Sequence, residues 1–321
     1  MKRYPLRLTY IAKAAIWGGR RLALEWGKNG DGDNVAETWE LSVREKEMAH
    51  ILNGEASGMS LYDYIKAVGA DCVYAGYSID KPFPLLVKFI DAADRLSVQV
   101  HPDDIYSSEK ENDVGKTEMW YIVDADEGAE IVCGLKDDVS EDDFARAVNE
   151  GRTGDVLSSV KVKKGESYFI PAGLVHAIGK GVLIAEIQQN SDLTYRVYDY
   201  DRVGKDGQKR PLHVGKALDV TRVWSAEDID KEAFMRGKDV CGGELLANGR
   251  YFSVVKLCID GDALIKVTEE SFCHLLCVDG DAVLRVDGEE YAISKGDSYF
   301  LPAGLGECVI EGRAQIICSR V

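Results

Sequence analysis

The sequence predicts a mainly β protein made of two similar antiparallel β domains with a few short helices. Three observations carry this expectation. At 321 residues the chain is longer than one ordinary domain. Short apolar alternations punctuated by Gly and Asp turn dipeptides recur along it, the spacing of a sandwich or barrel. Finally, Lys164-Gly-Glu-Ser-Tyr-Phe-Ile-Pro-Ala-Gly-Leu174 returns as Lys295-Gly-Asp-Ser-Tyr-Phe-Leu-Pro-Ala-Gly-Leu305, nine of eleven positions being identical at an offset of 295 − 164 = 131. Two copies of one β unit imply two similar domains.

Taken in order, the chain opens MKRYPLRLTYIAKAAIWGG, where Lys13 interrupts the apolar run and no cleavage-like site follows. No run approaches the roughly 20 apolar residues of a membrane span, so the expectation is a soluble, cytoplasmic protein. Asn29-Gly30 and Asp31-Gly32 read as turns. Ser60 with Asp63 starts a helix whose Leu61, Tyr64, Ile65 and Val68 share a face. Alternation in SVQVHP (97–102) and EMWYIV (118–123) predicts strands. Ser140 and Asp143 repeat the capping device before Phe144, Ala147 and Val148, and a third helix is expected over Val214–Val223. The charged segment 211–240 reads as the connection, which sets domains of 1–225 and 226–321. Beyond it, DALIKVTE (262–269) is a strand, and Asp279-Gly280 and Asp287-Gly288 read as turns bounding a strand at Ala282–Val286.

Composition narrows the function. The 39 Lys and Arg against 55 Asp and Glu leave a net charge of −16, which excludes nucleic acid or an anionic membrane as the main partner. The eight cysteines, Cys241 among them, contain no C-x-x-C pair and fall mostly in apolar stretches, so they read as buried thiols.

With only five histidines, two in one pattern carry weight. Gln99 and His101 are two apart in a strand and project from one face. Glu118 opens the next strand, and His176 follows the Pro-Ala-Gly turn. Imidazoles with a carboxylate and an amide oxygen suit a divalent metal with room for water or substrate. In the second copy the offset of 131 puts Glu307 where His176 stands, and an offset of 155 puts Cys273 opposite Glu118. One copy is therefore expected to be functional and the other architectural. His50, His213 and His274 read as structural histidines, and Glu40 as either a strand residue or a pocket wall.

These residues lie in longer blocks: LSVQVHPDD (96–104), GKTEMW (115–120), YFIPAGLVHA (168–177) and IQQNSDLTYRVYDY (187–200), with weaker support from IWGG (16–19), ETWELS (37–42) and PLLVKFI (84–90). In this combination the chain resembles the type I mannose-6-phosphate isomerases (phosphomannose isomerases) in their short bacterial form, within the cupin superfamily. The resemblance spans most of residues 16–214; the last hundred match only as a second, degenerate barrel. It implies two cupin-type (jelly-roll) barrels and one Zn2+ per chain on Gln99, His101, Glu118 and His176. It further implies Lys116 and Arg196 as active-site cations and Glu186 as a pocket residue. The implied reaction interconverts mannose 6-phosphate and fructose 6-phosphate through an enediol.

Such a reaction needs a positive group for the developing oxyanion and a base beside the substrate carbon. Glu186, Lys116 and a hydroxide on the metal all qualify as the base. Arg196 has a plainer alternative as the ion-pair partner of Asp199 or Asp201. Because the chain is acidic, the phosphate requires a local concentration of cations. Ser97, Lys88, Lys116 and Arg202 are the candidates, with Ser97 and Lys116 expected to bind substrate. Two other readings are a metal-dependent cupin oxygenase, disfavoured by Gln99, Lys116 and Arg196, and a non-catalytic sugar-binding cupin.

Overall fold

The structure, a computed structural model, describes residues 1–32, 34–204, 207–237 and 243–321. Cys241 and part of the expected 211–240 connection lie outside the described residues.

The N-terminal unit is built from two facing antiparallel sheets. One runs Ser167–Ile170, Glu118–Ala125, Val182–Gln189, Leu85–Ala92, Glu37–Leu41, Ile11–Lys13. The other runs Leu157–Lys161, Glu130–Leu135, His176–Ile178, Val98–Val100, Tyr195–Tyr198. The seven-stranded sheet of the C-terminal unit is dominated by three long strands, Ser253–Val267, Cys273–Val286 and Gly306–Arg320. Its edge takes Leu6–Arg7 from the start of the chain, paired with Ser298–Leu301.

The six-stranded sheet is covered on both faces, which explains its near-continuous apolar strands. Leu85, Val87, Phe89, Met119, Tyr121, Leu183, Ala185 and Ile187 pack in one cluster with Phe252, Phe272, Leu276 and Phe300 of the second unit. The alternate residues Ile90, Ala92, Trp120, Ile122, Val182 and Ile184 pack inward, with Ile131, Leu174 and Ile178 of the facing sheet. Between the units, Lys28 Nζ is buried 2.7 Å from Glu40 Oε2 and 2.7 Å from the Gly296 carbonyl. Glu40 is thus a strand residue, within Glu37–Leu41, and its carboxylate helps to hold the two units together.

The internal repeat is conformational as well as textual. Strands Ser167–Ile170 and Ser298–Leu301 differ by the same 131. The preceding turns have Gly165 at φ 95° and Gly296 at φ 89°, and the following turns have Gly173 at φ 87° and Gly304 at φ 74°.

Ser60 accepts a hydrogen bond from the Asp63 N–H and caps Leu61–Val68, and Ser140 with Asp143 forms a capping box on Glu141–Asn149. The third expected helix stops early, at Val220, because Thr221 turns extended (φ −63°, ψ 135°). Three short helices had no apolar stripe long enough to announce them: Arg21–Trp26, Asp104–Lys110 and Ala226–Ala233. The last, with Val214–Val220, makes much of the expected connection helical rather than irregular.

Two turn expectations are corrected. Asn29-Gly30 and Asp31-Gly32 lie in a loop between helix Arg21–Trp26 and strand Glu37–Leu41, not in a hairpin. Asp279-Gly280 sits inside strand Cys273–Val286, where the register against Gly306–Arg320 shifts. The residue without a partner at the shift is Val278; Gly280 pairs with Ala314 and is required because a Cβ would lie 2.1 Å from the Arg313 carbonyl oxygen. Asp287-Gly288, with φ of 51° and 81°, does close a two-residue hairpin in which Val286 faces Glu289.

Candidate active site

The inward face of the six-stranded sheet carries charge where its neighbours are apolar. Glu186 is in register with Lys88 on one side and Trp120 on the other, while Gln188 pairs with Glu118. Paired residues of an antiparallel ladder point the same way, so these side chains form one polar floor. Trp120 Nε1 donates to Glu118 Oε2 and to Glu186 Oε1, each at 3.0 Å. Lys88 Nζ lies 3.6 Å from both Glu186 Oε2 and Glu37 Oε2.

The facing sheet brings the imidazoles. His176 is in register with Gln99, and Gln99 with Arg196. The His101 and His176 rings lie 4.7 Å apart, and Gln99 Nε2 is 3.4 Å from His176 Nε2. Ligand atoms of His101, Glu118 and His176 all fall within 4.8 Å of one another, and the three residues are buried. His176 Nδ1 is fixed by the Leu174 carbonyl at 2.8 Å, which leaves Nε2 unprotonated and turned to the cluster.

A metal fits this donor set. Both ring nitrogens of His101 and Glu118 Oε1 are buried without a hydrogen-bond partner. Lys116 Nζ approaches that oxygen to 3.0 Å, but without the alignment of a hydrogen bond. Orphaned acceptors are costly unless a cation satisfies them. Burial pushes His101 down to about 3 and lowers His176 as well, so both are neutral imidazoles, the ligating form. For Glu118, burial acts upward, but the Lys116 ammonium and the imidazoles outweigh it and hold the carboxyl well below its usual range. Glu186 goes the other way, to about 8, through burial and the neighbouring Glu118 charge. Two carboxylates sharing one indole N–H are thus driven apart in acidity.

A cavity of about 340 Å³ opens over this floor. Of the residues expected at the site, Ser97, Lys88, Gln99, Lys116, Glu186 and Arg196 line it, and His101, Glu118 and His176 form the adjoining cluster. Arg202 does not line it, because its guanidinium is engaged by Asp199 at 2.5 Å, by Asp94 at 3.6 Å and by the Arg95 carbonyl. Asp199 takes Arg202 and Arg210, and Asp201 takes Lys209, which leaves Arg196 to the cavity. Sequence reasoning missed Glu37, Asp192, Arg210 and His213, all on the cavity wall. Asp192 stood inside a quoted block, and Glu37 opened another; Arg210 and His213 had no local signal.

In the second unit Glu307 is exposed, whereas Cys273 is buried with its Sγ 2.7 Å from Cys318 Sγ. Among the described cysteines, Cys258 is exposed and Cys133 half-buried, and the other five are buried. No described helix is long and apolar enough to cross a membrane.

Comparison with known proteins places this geometry. A model of the phosphomannose isomerase type I catalytic domain matches residues 6–144, and one of the mannose-6-phosphate isomerase cupin domain matches residues 244–321. Mannose-6-phosphate isomerase of Streptococcus mutans is 36% identical over 98% of each chain. The crystal structure of the mannose 6-phosphate isomerase from Bacillus subtilis superposes with a TM-score of 0.87 at 34% identity, over 99% of both chains. A zinc-bound mannose 6-phosphate isomerase structure shares the fold at 17% identity and a TM-score of 0.77, over 98% of both chains.

Proposed function

The chain belongs to the type I mannose-6-phosphate isomerases, and on that premise we propose how its own residues divide the work. The reaction moves a proton between C2 of mannose 6-phosphate and C1 of fructose 6-phosphate through an enediol. The observation that carries the assignment of roles is the convergence of a His/Glu/His cluster, a separate buried carboxylate and two cations on one cavity.

Gln99, His101, Glu118 and His176 would hold zinc, which supplies Lewis-acid polarisation of a substrate oxygen when bound. The 180° alternative of the Gln99 amide brings its oxygen to the place now taken by Nε2. Glu186 is the base that takes the C2 proton and returns it to C1, while the hydroxyl proton passes from O2 to O1 as the carbonyl moves from C1 to C2. Its Oε1 is oriented by Trp120, and Lys88 lies near Oε2, so the carboxylate has a fixed direction in the cavity. Lys116 is tied as an ammonium to Glu118 and acts as a donor to the oxygen that gains charge, not as the base. Arg196 reaches the same cavity from the facing sheet and helps to hold the anionic substrate. Ser97 contributes to substrate binding from the cavity wall. The acidic chain and its sugar-phosphate substrate fit a cytoplasmic enzyme.

A coupled assay on mannose 6-phosphate, with and without a chelator, tests the reading. Turnover that is lost on chelation and restored by zinc is the expected result; sugar binding without turnover in zinc-loaded protein would leave only a binding cupin.

A further inference from the structure

We propose that Arg210 and His213, together with Arg196, form the subsite that holds the substrate phosphate, so that the sugar phosphate lies along one row of the five-stranded sheet. The proposal rests on the isomerase reading for the identity of the ligand, and on the geometry for the residues.

The row is set by strand register. His176, Gln99 and Arg196 are successive partners on three neighbouring strands and face the same side. His213 extends the row by one step: its N–H donates to the Arg196 carbonyl at 2.8 Å, and its Nδ1 accepts the Arg196 N–H at 3.2 Å. At roughly 4.8 Å per strand, the His213 backbone stands about 14 Å from that of His176. One end of the row is therefore the metal-ligating cluster, and the other is a group of cations and donors.

That second end has unmet donor capacity. Arg196 Nε is buried without an acceptor, and among the described residues no carboxylate pairs with its guanidinium. Arg210 Nε and Nη2 bind Asp199 at 2.8 and 2.6 Å, but Arg202 Nη2 binds the same carboxylate at 2.5 Å. Arg202 also meets Asp94 at 3.6 Å, so Asp199 and Asp94 balance Arg202 and Arg210, and Arg196 adds one positive charge without a carboxylate of its own among the described residues. Asp192 lies on the same wall, so what this end offers an anion is its unused guanidinium N–H donors rather than a large net charge. The Arg196 and Arg210 guanidiniums are near enough to repel, an interaction that a bound anion relieves.

His213 supplies a neutral donor. With Nδ1 occupied by the Arg196 N–H, the ring proton resides on Nε2. Burial and the Arg196 charge lower its pKa, which keeps it in this form. A guanidinium fork beside an imidazole N–H matches phosphate oxygens in charge and direction.

The test uses zinc-loaded protein, with inorganic phosphate titrated by calorimetry and mannose 6-phosphate varied in the coupled assay. For Arg210→Lys and His213→Gln, phosphate affinity is expected to fall about tenfold or more, with KM rising by more than kcat falls. A merely structural loss would instead lower kcat or the unfolding temperature without that split. Wild-type protein that binds no phosphate, or variants that bind it as the wild type does, would overturn the subsite. If the wild type isomerises mannose 6-phosphate while the variants keep its KM, the subsite fails and the isomerase reading stands. If the wild type binds phosphate through these residues yet turns over no sugar, the isomerase reading fails and the subsite stands.

Discussion

At the residue scale, the decisive feature is that Glu118 and Glu186 share the Trp120 N–H yet have opposite environments. Glu118 faces two imidazoles and the Lys116 ammonium, whereas Glu186 faces the cavity with Lys88 at 3.6 Å. Their substitution should therefore separate two functions. Glu186→Gln is expected to lower kcat by roughly 10² to 10⁴ while zinc content, measured by atomic absorption, stays at the wild-type level. His176→Ala should lose both zinc and activity while the unfolding transition survives, since it removes a ligand rather than a core side chain. A Glu186→Gln protein that lost its zinc would place Glu186 in the metal cluster and remove it as the base. Glu118 and His176 were legible in sequence from a strand start and a Pro-Ala-Gly turn, whereas Glu186 came only from the family resemblance, because its opposite environment depends on neighbours from other strands.

At the element scale, the duplicated Lys-Gly-Glu/Asp…Pro-Ala-Gly unit has kept its backbone in both copies while its surroundings diverged. Gly173 and Gly304 share a left-handed conformation, at φ 87° and 74°. A Cβ on Gly173 would lie 2.9 Å from the Val220 carbonyl, whereas on Gly304 the nearest atoms, Arg3 Nη1 at 3.2 Å and Glu269 Cγ at 3.4 Å, belong to flexible side chains. Gly173 also donates its N–H to the His101 carbonyl at 2.8 Å, which ties the turn to a residue of the His/Glu/His cluster. In urea unfolding, Gly173→Ala should cost about 1–3 kcal/mol and more than Gly304→Ala. Equal costs would mean that only the shared φ matters. The elements that escaped sequence reading are short: a six-residue helix such as Arg21–Trp26 has too few turns to show a period. The Asp279-Gly280 dipeptide misled because a close approach between strands can ask the same of glycine as a turn does, a positive φ and no Cβ.

At the scale of the whole molecule, the second unit is joined to the first through buried polar contacts as well as the Phe83–Phe272–Phe300 aromatic cluster. Ser298 Oγ donates to the Glu40 carbonyl and accepts from His274 Nε2, each at 2.8 Å. His274 is buried and neutral, held down to about 3 by desolvation. Its folded pKa is thus below the ordinary 6.5, so its contribution is fully present above pH 6.5 and lost as pH falls toward 3, by up to about 1.4 kcal/mol per unit. The stability gap between wild type and His274→Gln should narrow across that window; a gap independent of pH would show that His274 does not titrate on unfolding. Glu307, exposed at the position equivalent to His176, should be replaceable by Ala with turnover intact. If Glu307→Ala proved as damaging as His176→Ala, the second unit would not be merely architectural.

The sequence by itself determined the β class, the duplication, the residues of the His/Glu/His cluster and the acidic net charge. Each is a local or periodic property: strand alternation, a repeated string, two histidines placed on strand ends, a sum of charges. Tertiary structure alone decided what the remaining cations do. Arg202 and Arg210 lie eight residues apart and both bind Asp199, yet only Arg210 reaches the cavity wall. His213, with no motif around it, arrives beside Arg196 through a backbone pairing that no periodicity encodes. A charged side chain's role depends on which carboxylate neutralises it and which cavity it faces, and both depend on contacts between segments that the chain order does not bring together.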